Sequence, residues 1–493
     1  MFYPALKDFL KLTKTANVVP VYKEINADLD TPVSAFLKIA KGDYAFLLES
    51  VEGQEKVGRF SFLGSNPSLI FKSKGRRVEI NQPKKKSRVK FIAPVNPLDE
   101  IKKIMSGFRP ARIKGLPRFY GGLVGYMGYD TVRFFENIPD KNPDELNSPD
   151  MLFMLTDTIL VFDRVSHTVK IVSNVILPQA KPGQKQKLKA YQRALKDIED
   201  IEKDFKRIIN KGSPGPAAAK PVKIDSNCKK PCFEAMVKKA KAYIKAGDVI
   251  QVVLSQRFRS KINKTPFDIY RSLRSINPSP YMFFLKLKDF YLVGSSPEIL
   301  VRCEDGLVTT RPIAGTRKRG TSQAQDLRLE QELLNDNKEK AEHVMLVDLG
   351  RNDLGRVCKT ASIQVSEFMS VERYSHVMHL VTEVQGKLRP DKNIFDALSA
   401  SFPAGTVSGS PKIRAMEIID ELENTRRGTY AGCVGYFSFS HNMDTCITIR
   451  TVLVKDNFAY VQAGAGIVVD SVPQKEYFET VNKAKALIEA ITK

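Results

Sequence analysis

The 493 residues contain no tryptophan, six cysteines and five histidines. The lack of tryptophan by itself excludes no function. No apolar run has the ~20 residues needed to span a bilayer. Charges interrupt the N-terminal "MFYPALKDFLKLTKT", where a signal peptide would be apolar. We therefore expect a cytoplasmic protein without membrane contact. Only Cys228 and Cys232 are close in sequence, and without a second pair they are a poor zinc pattern. The cysteines therefore predict free thiols in a reducing compartment.

Several motifs of nucleotide-binding and hydrolytic enzymes are also missing. The chain has no Walker loop and no G-x-S-x-G nucleophile elbow. The small residues of "QAGAGIVVDS" lack the G-x-G-x-x-G spacing and following helix of a dinucleotide site, although they let backbone amides approach a ligand. These absences exclude the commonest nucleotide-dependent and serine-hydrolase classes.

Acidic residues are in the minority, with 55 against 78 lysines and arginines and a net charge of +23. The lysines are spread over the whole chain, and their densest run, "PKKKSRVK", lies between strand-like segments as a predicted hairpin tip. This distribution favours a solvated basic face, and we expect no nucleic-acid partner. From charge alone, a basic nucleic-acid-binding protein is the alternative, and it would bind with strong salt dependence.

The length and the hydrophobic content of 42% suit two domains or one large sheet-rich body. Residues 1–210 show aromatic and β-branched strand patterns and end in a charged helical stretch. Residues 211–223, "KGSPGPAAAKPVK", predict a linker. Residues 224–493 hold strands joined by short turns, including "TCITIRTVLV" as one strand, together with strong helices. We predict an α+β chain with large antiparallel sheets.

Two helical segments place carboxylates on one face. Glu339 and Glu342 lie three residues apart in "NKEKAEHVMLVDLGRNDLG", and Glu476, Glu479 and Lys483 recur on one face of the C-terminal helix. Carboxylates from separate helices suit Mg²⁺, which prefers oxygen ligands and also binds substrate anions. Ion pairs with nearby lysines explain the same spacing.

Three further segments suggest anion binding or proton transfer. The loop "RPIAGTRKRG", residues 311–320, has four cationic side chains and two glycines. The helix beginning near Pro411 follows a Gly/Ser-rich turn whose amides could hold an anion. His376 and His379 are either proton carriers or hydrogen-bonded structural histidines.

These motifs together resemble the chorismate-utilising enzymes, and among them most closely the large components of anthranilate synthases. The resemblance covers nearly the whole chain. It implies antiparallel sheets packed face to face with helices outside, and an N-terminal region interleaved with a catalytic domain. The matching motifs occur in the order "RPIAGTRKRG", "EHVMLVDLGRNDLG", "HVMHLVTEVQG", "FPAGTVSGSPKIRAMEIIDELE", "RRGTYAGCVGYFSF", "CITIRT" and "QAGAGIVVDSVPQKEYFETVNKAKAL".

The resemblance implies a lyase that adds ammonia to chorismate and then eliminates pyruvate to give anthranilate, the first committed step of tryptophan biosynthesis. By the same resemblance, Mg²⁺ is the cofactor and Glu342 and Glu479 are its ligands, with Glu339 nearby. Arg450 and Tyr430 correspond to the clamp for the enolpyruvyl carboxylate, since a guanidinium fork suits a planar anion. The remaining implied chorismate contacts are Thr406, Gly464, Ala465, Gly466 and Lys483.

The resemblance also assigns proton transfer and the choice of nucleophile. Glu298 matches the acid that protonates the leaving 4-hydroxyl group, and His379 matches a histidine linked to pyruvate elimination. Relatives that make aminodeoxychorismate have a nucleophilic lysine at the position of Ala314, beside Gly315 and Thr316. Relatives that add water have a lysine base at the position of Gln251. The absence of both lysines predicts direct amination by free ammonia.

A feedback site for L-tryptophan is implied by "LLES" and "NPSPYMFFL". Glu49 would pair with the ammonium group, and inhibition would favour a low-activity arrangement. Ordinary core packing is the alternative explanation for the apolar residues. The residues assigned to this site by the resemblance are Glu49, Ser50, Asn277, Pro278, Ser279, Tyr281, Met282 and Phe283.

The chain has no Gly-x-Cys-x-Gly signature of a glutaminase nucleophile. We therefore expect a separate glutamine amidotransferase subunit in a hetero-oligomer, either a heterodimer or a heterotetramer. Sister enzymes that make aminodeoxychorismate or stop before pyruvate elimination are the enzymatic alternatives. Arg311 and Arg317 are either rim residues or direct ligands.

Overall fold

The computed structural model describes residues 1–51, 58–178, 182–207, 223–374 and 377–492. His376 and all of the predicted linker except Lys223 lie outside these ranges. Within them, no helix combines the length and the apolar character needed to cross a membrane. All six cysteines are free thiols, as predicted, and only Cys232 is exposed.

Two large β-sheets form the body of the protein, and the strand pairs within both are antiparallel, which confirms the predicted α+β class. Central strands such as Gly122–Met127 and Met151–Thr156 are buried at every position, whereas the edge strand Ser87–Ile92 is mostly exposed. In chain order the described strands are β1 (Phe2–Tyr3), β2 (Val18–Asn26), β3 (Tyr44–Glu49), β4 (Phe60–Ser65), β5 (Leu69–Lys74), β6 (Arg77–Gln82), β7 (Ser87–Ile92), β8 (Gly122–Met127), β9 (Met151–Thr156), β10 (Thr158–Asp163), β11 (Thr168–Ile176), β12 (Ile224–Ser226), β13 (Gln251–Lys261), β14 (Tyr281–Leu287), β15 (Phe290–Ser296), β16 (Ile299–Glu304), β17 (Leu307–Thr310), β18 (Ile313–Lys318), β19 (Gln364–Arg373), β20 (Val377–Lys387), β21 (Gly409–Ser410), β22 (Cys433–Ser438), β23 (Met443–Ile447), β24 (Thr451–Lys455) and β25 (Phe458–Ile467).

Helices begin where the sequence offers capping side chains or proline. The Thr31 hydroxyl accepts a hydrogen bond from the Ser34 amide in a capping box, and the predicted helix after Pro411 begins at Lys412. In the described ranges the α-helices are α1 (Leu6–Leu12), α2 (Pro32–Ile39), α3 (Pro97–Ser106), α4 (Gln184–Phe205), α5 (Lys230–Lys245), α6 (Pro266–Ile276), α7 (Gln323–Asn335), α8 (Asn337–Gly355), α9 (Ile394–Ser401), α10 (Gly405–Ser408), α11 (Lys412–Leu422) and α12 (Pro473–Thr492), with 3₁₀ turns at Pro83–Lys85 and Tyr129–Phe134.

Both sheets combine strands from the two ends of the chain. The first has the order β1-β2-β11-β10-β4-β3-β14-β15-β24-β25-β13-β12, with β21 on β13. The second has the order β18-β20-β17-β16-β23-β22-β8-β9-β5-β6-β7, with β19 on β20. Because β3 pairs with β14 and β8 pairs with β22, the N-terminal region and the second half share one hydrophobic core.

The chain passes from one sheet to the other at two places that matter for function. Glu298 lies between β15 of the first sheet and β16 of the second. Arg450 lies between β23 of the second sheet and β24 of the first, with a left-handed φ of 49°. The prediction of one strand through "TCITIRTVLV" was therefore wrong. The Ile447 amide donates to the Glu298 carbonyl at 3.0 Å, which ties the two crossings together.

The predicted hairpin at "PKKKSRVK" is confirmed. The Pro83–Lys85 turn joins β6 to β7, and Lys86 adopts φ 50°. Arg88 pairs with Glu79 across the hairpin at 2.7 Å. The lysines of this run thus lie on an exposed turn, at the end of the second sheet opposite to β18.

Candidate active site

Glu298 is a buried carboxyl group at the crossing between the sheets, with 7% of the residue exposed. The Thr406 hydroxyl donates to its two oxygens, at 3.1 Å to Oε1 and 3.2 Å to Oε2. Burial raises the pKa of Glu298 to about 8, against the opposing effects of the Thr406 and Ile313 hydrogen bonds and the charge of Lys483. The group is thus mostly protonated at neutral pH and can act as an acid.

Arg450 interacts electrostatically with Tyr430 and Glu479, and its charge also acts on His379. Within the described residues, no hydrogen bond or ion pair of the Arg450 side chain occurs, and burial lowers its pKa although Tyr430 and Glu479 oppose the shift. Burial raises the pKa of Tyr430 to about 12, so its hydroxyl stays a donor. A Cβ on Gly464 would lie 2.7 Å from the Tyr430 hydroxyl oxygen, so only glycine fits there.

Lys483 connects the C-terminal helix to the glycine-rich end of β25. Its Nζ donates to the Gly464 carbonyl at 3.1 Å and pairs with Glu479 Oε1 at 2.7 Å. Its charge also acts on Glu298 and on His379. Glu479 therefore forms the ion pair with a nearby lysine that its helical spacing also predicted, and this pair lies within the candidate site. The Ala465 side chain is fully buried, and its backbone pairs with Leu254.

Glu339 and Glu342 project from α8 toward β13 and β18. Gln251 Nε2 donates to Glu342 Oε1 at 2.9 Å, and a Cβ on Gly466 would lie 2.6 Å from that amide nitrogen. Burial and the neighbouring Glu342 charge raise the pKa of Glu339, although Arg317 lies 3.3 Å from its Oε1. Gln251 thus joins the α8 carboxylates to the glycine-rich strand.

No group of three or more metal-ligating side chains in the described ranges is close enough to hold an ion. The available donors nevertheless fit Mg²⁺ in chemistry. Like-charge repulsion contributes to the raised pKa of Glu339 beside Glu342 and of Glu476 beside Glu479, in each case after burial. A divalent cation with oxygen ligands would relieve this excess of negative charge.

His379 lies on β20 opposite Thr316 of β18. Its Nδ1–H donates to the Gly315 carbonyl at 2.9 Å and is 3.1 Å from the Thr316 hydroxyl, which leaves Nε2 as the basic nitrogen. Burial lowers its pKa, and the charges of Arg450 and Lys483 lower it further, so the ring is neutral at pH 7. The tautomer therefore suits proton acceptance.

Ala314 and Gly315 form a narrow part of the wall next to His379. Ala314 is 8% exposed and pairs with Leu380. Gly315 has φ +65°, and a Cβ there would lie 2.9 Å from Leu333 Cδ1 and 3.3 Å from Glu339 Oε2. Small residues are required because α8 packs closely on β18.

Arg311 and Arg317, to which the sequence assigned no contacts, both pair with carboxylates of the protein itself. Arg311 pairs with Glu372 at 2.5 Å, and Glu383 and Glu367 lie 3.5 Å and 3.8 Å away. Arg317 pairs with three further carboxylates, those of Glu332, Asp336 and Glu339. Both guanidinium groups are therefore neutralised within the protein and hold α7, α8 and β19 against the sheet.

A buried ion pair that the sequence did not reveal lies against Tyr430. Arg427 donates to Glu423 at 2.6 Å and 2.9 Å and to the Val407 and Val253 carbonyls at 2.7 Å. Its guanidinium lies 5.5 Å from the centre of the Tyr430 ring. The four-residue spacing of the two charges was visible in "ELENTRRG", but the same spacing is typical of surface pairs.

Five of the eight residues implied for tryptophan binding line a cavity of about 80 Å³ between the sheets. Glu49, Ser50, Tyr281, Met282 and Phe283 line it. Its volume is far below the ~300 Å³ of a typical small ligand pocket, but it shares lining residues with an adjoining cleft of about 900 Å³.

Glu49 is already paired inside the protein. Arg164 and Arg274 each lie 3.1 Å from its carboxylate, and Tyr270 also donates to it. Asn277 and Ser279 lie outside the cavity lining and share contacts with the Ser295 hydroxyl, at 2.9 Å and 2.8 Å. Pro278 is also absent from that lining.

A family model described as chorismate binding enzyme matches residues 43–489. The chain belongs to the chorismate-binding enzymes. It is 50% identical over 492 residues to anthranilate synthase component 1 of Aquifex aeolicus, covering 99% of this chain and 97% of that protein. The corresponding protein of Acetivibrio thermocellus is 49% identical, with 100% and 99% covered. The resemblance inferred from the motifs is confirmed.

Solved structures of chorismate-binding enzymes share the fold. Anthranilate synthase component I from Streptococcus pneumoniae superposes with a TM-score of 0.75 at 38% identity, over 94% of this chain and 98% of that one. The menaquinone-specific isochorismate synthase of Escherichia coli, at 19% identity and a TM-score of 0.71, covers 99% of each chain and shows the fold alone.

Proposed function

We propose that this chain is the large component of an anthranilate synthase, which aminates chorismate with ammonia and then eliminates pyruvate. The observation that carries the proposal is that the buried acid Glu298 and the imidazole of His379 share the charge of Lys483, while the charge of Arg450 also acts on His379. Relatives with 49–50% identity over nearly the full length bear that name.

Chorismate has two carboxylates, and the site has cationic groups for both. Arg450 and the Tyr430 hydroxyl bind the enolpyruvyl carboxylate, while Lys483 and the amides of the Gly464–Gly466 segment lie beside the ring carboxylate. Glu342 and Glu479, with Glu339 nearby, would hold Mg²⁺, which supplies positive charge that neutralises and orients the ring carboxylate. The binding energy of both anions thus fixes the ring against the acid.

Glu298 transfers its proton to the 4-hydroxyl group, which leaves as water when the ammonia lone pair forms a bond to ring carbon 2. The Thr406 hydroxyl holds the Glu298 carboxyl in place. The ammonium group formed on carbon 2 releases one proton to solvent. His379 then accepts the proton of ring carbon 2 at Nε2, since its Nδ1–H is fixed on the Gly315 carbonyl. The bond between ring carbon 3 and the enolpyruvyl oxygen breaks, and the released enolpyruvate takes up a proton at its methylene carbon to give pyruvate. The product ring becomes aromatic, which drives this second step.

Ala314 and Gln251 select the nucleophile. A methyl group at 314 cannot attack the ring, and the amide of Gln251 cannot deprotonate water. Ammonia therefore adds directly. We infer that it comes from a separate glutamine amidotransferase, the second component implied by the relatives' name.

Product analysis tests the proposal. Purified chain is incubated with chorismate, Mg²⁺ and either ammonium or glutamine. We expect equimolar anthranilate and pyruvate with ammonium and no turnover with glutamine alone. An aminated product without pyruvate release would favour a sister enzyme, and salt-sensitive nucleic-acid binding without turnover would favour the basic binding protein.

Ala314→Lys is expected to lower anthranilate formation at least about tenfold, because a lysine chain fills the nucleophile's space and its amine can bond to the ring. Steady-state rates and the intact protein mass measure both effects. Ala314→Met is the matched control, since it adds similar bulk without an amine and should lose activity without forming an adduct. Parent-like rates and product in the lysine variant would refute this role of position 314.

We further propose that L-tryptophan inhibits the enzyme by widening the 80 Å³ cavity and pairing with Glu49. Glu49→Gln should raise the tryptophan concentration for half-inhibition about tenfold, the effect of losing one charge-assisted hydrogen bond, with the uninhibited rate within about twofold of the parent. Glu79→Gln, on the β6–β7 hairpin, is the control. Equal inhibition of both variants would place the effector elsewhere.

A further inference from the structure

A small cavity of about 40 Å³ adjoins the acid of the proposed active site. The residues that line it include Glu298, Thr406 and Asp353. A water molecule needs roughly 10–15 Å³ of space open to its centre. The cavity therefore has room for a small number of waters between two buried carboxyl groups.

Two hydroxyl groups place polar atoms on a cavity wall that is otherwise largely apolar. Thr310 Oγ1 and Ser401 Oγ are buried, both residues line the cavity, and neither oxygen has a hydrogen-bond partner among the described residues. Buried hydroxyls are nearly always hydrogen-bonded, commonly to internal water. The two unpartnered hydroxyls are therefore the positions at which this cavity binds water.

Asp353 connects this cavity with the protein surface. Its carboxylate pairs with Lys412 Nζ at 2.8 Å, and the two side chains are 14% and 11% exposed. Burial raises the pKa of Asp353, while the charges of Lys412 and Arg356 lower it and that of Glu136 raises it. A proton from solvent can therefore associate with this carboxylate.

Glu298 needs such a route because its own surroundings are closed. It is 7% exposed, and the side chain that contacts its carboxyl group, that of Thr406, has a single hydroxyl proton. Lys483 is the charged residue that acts on it. After each proton transfer to the leaving hydroxyl group, Glu298 is a carboxylate and must be protonated again before the next turnover.

We propose that water bound by Thr310 and Ser401 in this cavity relays protons from Asp353 to Glu298. Asp353 takes a proton from solvent and passes it to a cavity water, and that water gives one of its protons to the Glu298 carboxylate. Only O–H bonds form and break, and no oxidant or reductant takes part. The inference rests on the proposed role of Glu298 as the acid.

The double variant Thr310→Val, Ser401→Ala tests the relay, because it removes both hydroxyls with little change of shape. We expect kcat to fall about tenfold, a modest part of the usual acid–base contribution, with the KM for chorismate and the melting temperature near parent values. The solvent deuterium isotope effect on kcat should rise, since proton delivery becomes rate-limiting. Thr309→Val, a neighbour on the opposite face of β17, is the matched control and should behave as the parent.

Gly350→Ala is a second, independent variant. The added methyl would lie 3.2 Å from Thr310 Oγ1, inside the cavity lining, and alanine favours the α8 helix. We expect unchanged or higher thermal stability with the same loss of kcat and the same rise of the isotope effect.

A high-resolution crystal structure of the parent protein completes the test. We expect ordered water bonded to the Thr310 and Ser401 hydroxyls. A dry cavity, or variants with parent kcat and isotope effect, would overturn the relay while leaving the proposed function intact. If the parent itself made no anthranilate, the proposed function would fail, whatever the cavity contains.

Discussion

Glu298→Gln is expected to lower kcat for anthranilate formation about a thousandfold, within the usual range for loss of a general acid. Glutamine keeps the size of the side chain and can still contact Thr406, but it has no proton to give to the leaving hydroxyl group. Steady-state kinetics with ammonium measures the loss. Glu304→Gln, at the end of β16 and paired with Arg118 and Arg302, is the control and should keep kcat within about twofold.

The pH dependence follows from the same group. Burial raises the pKa of Glu298 to about 8, so the acid form predominates below that pH. We expect kcat/KM of the parent to be level in the neutral range and to fall as pH rises through about 8, since kcat/KM reports the pKa values of the free enzyme. The small residual rate of Glu298→Gln should not show this fall. A parent profile that rises through pH 8 would assign the acid to another residue.

Arg450 variants should show the second large effect. Arg450→Lys and Arg450→Ala are expected to lower kcat/KM for chorismate by about a hundredfold or more, because a planar guanidinium binds a carboxylate through two parallel hydrogen bonds and a single ammonium does not. Lysine is thus not a conservative replacement here. Initial rates over a chorismate series give kcat/KM.

A neighbouring arginine provides the matched control for that experiment. Arg259 lies on the exposed side of β13, and its guanidinium is 3.7 Å from the centre of the Phe458 ring. Arg259→Lys should leave kcat/KM unchanged. If Arg450→Lys also retained parent kcat/KM, the enolpyruvyl carboxylate would have to bind elsewhere.

Local patterns predicted most elements of this fold because alternation, turns and helix starts act over a few residues. The hairpin at Pro83–Lys90 and the helix after Pro411 are examples. The strand through residues 445–454 was predicted wrongly, since an apolar, β-branched run does not reveal that residues 448–450 carry the chain from one sheet to the other. That turn is fixed by hydrogen bonds to residues distant in sequence, such as Ile447 to Glu298.

The chemistry of the site was less predictable from spacing alone. The sequence showed that Glu339 and Glu342 share a helix face. It did not show the hydrogen bond from Gln251 of β13 to Glu342, because the two residues are 91 positions apart. Neutralisation of Arg311 and Arg317 likewise depends on tertiary partners. The family resemblance supplied the roles of Glu298 and Arg450, because no local pattern distinguishes them from ordinary charged residues.

A crystal structure of the Glu298→Gln variant with chorismate and Mg²⁺ tests the central claim most directly, since this variant should bind the substrate without converting it. We expect the enolpyruvyl carboxylate on Arg450 and Tyr430, the 4-hydroxyl group within hydrogen-bond distance of residue 298, and the ion held by Glu342 and Glu479. Chorismate bound instead in the 900 Å³ cleft, with Arg450 free of ligand, would contradict the account.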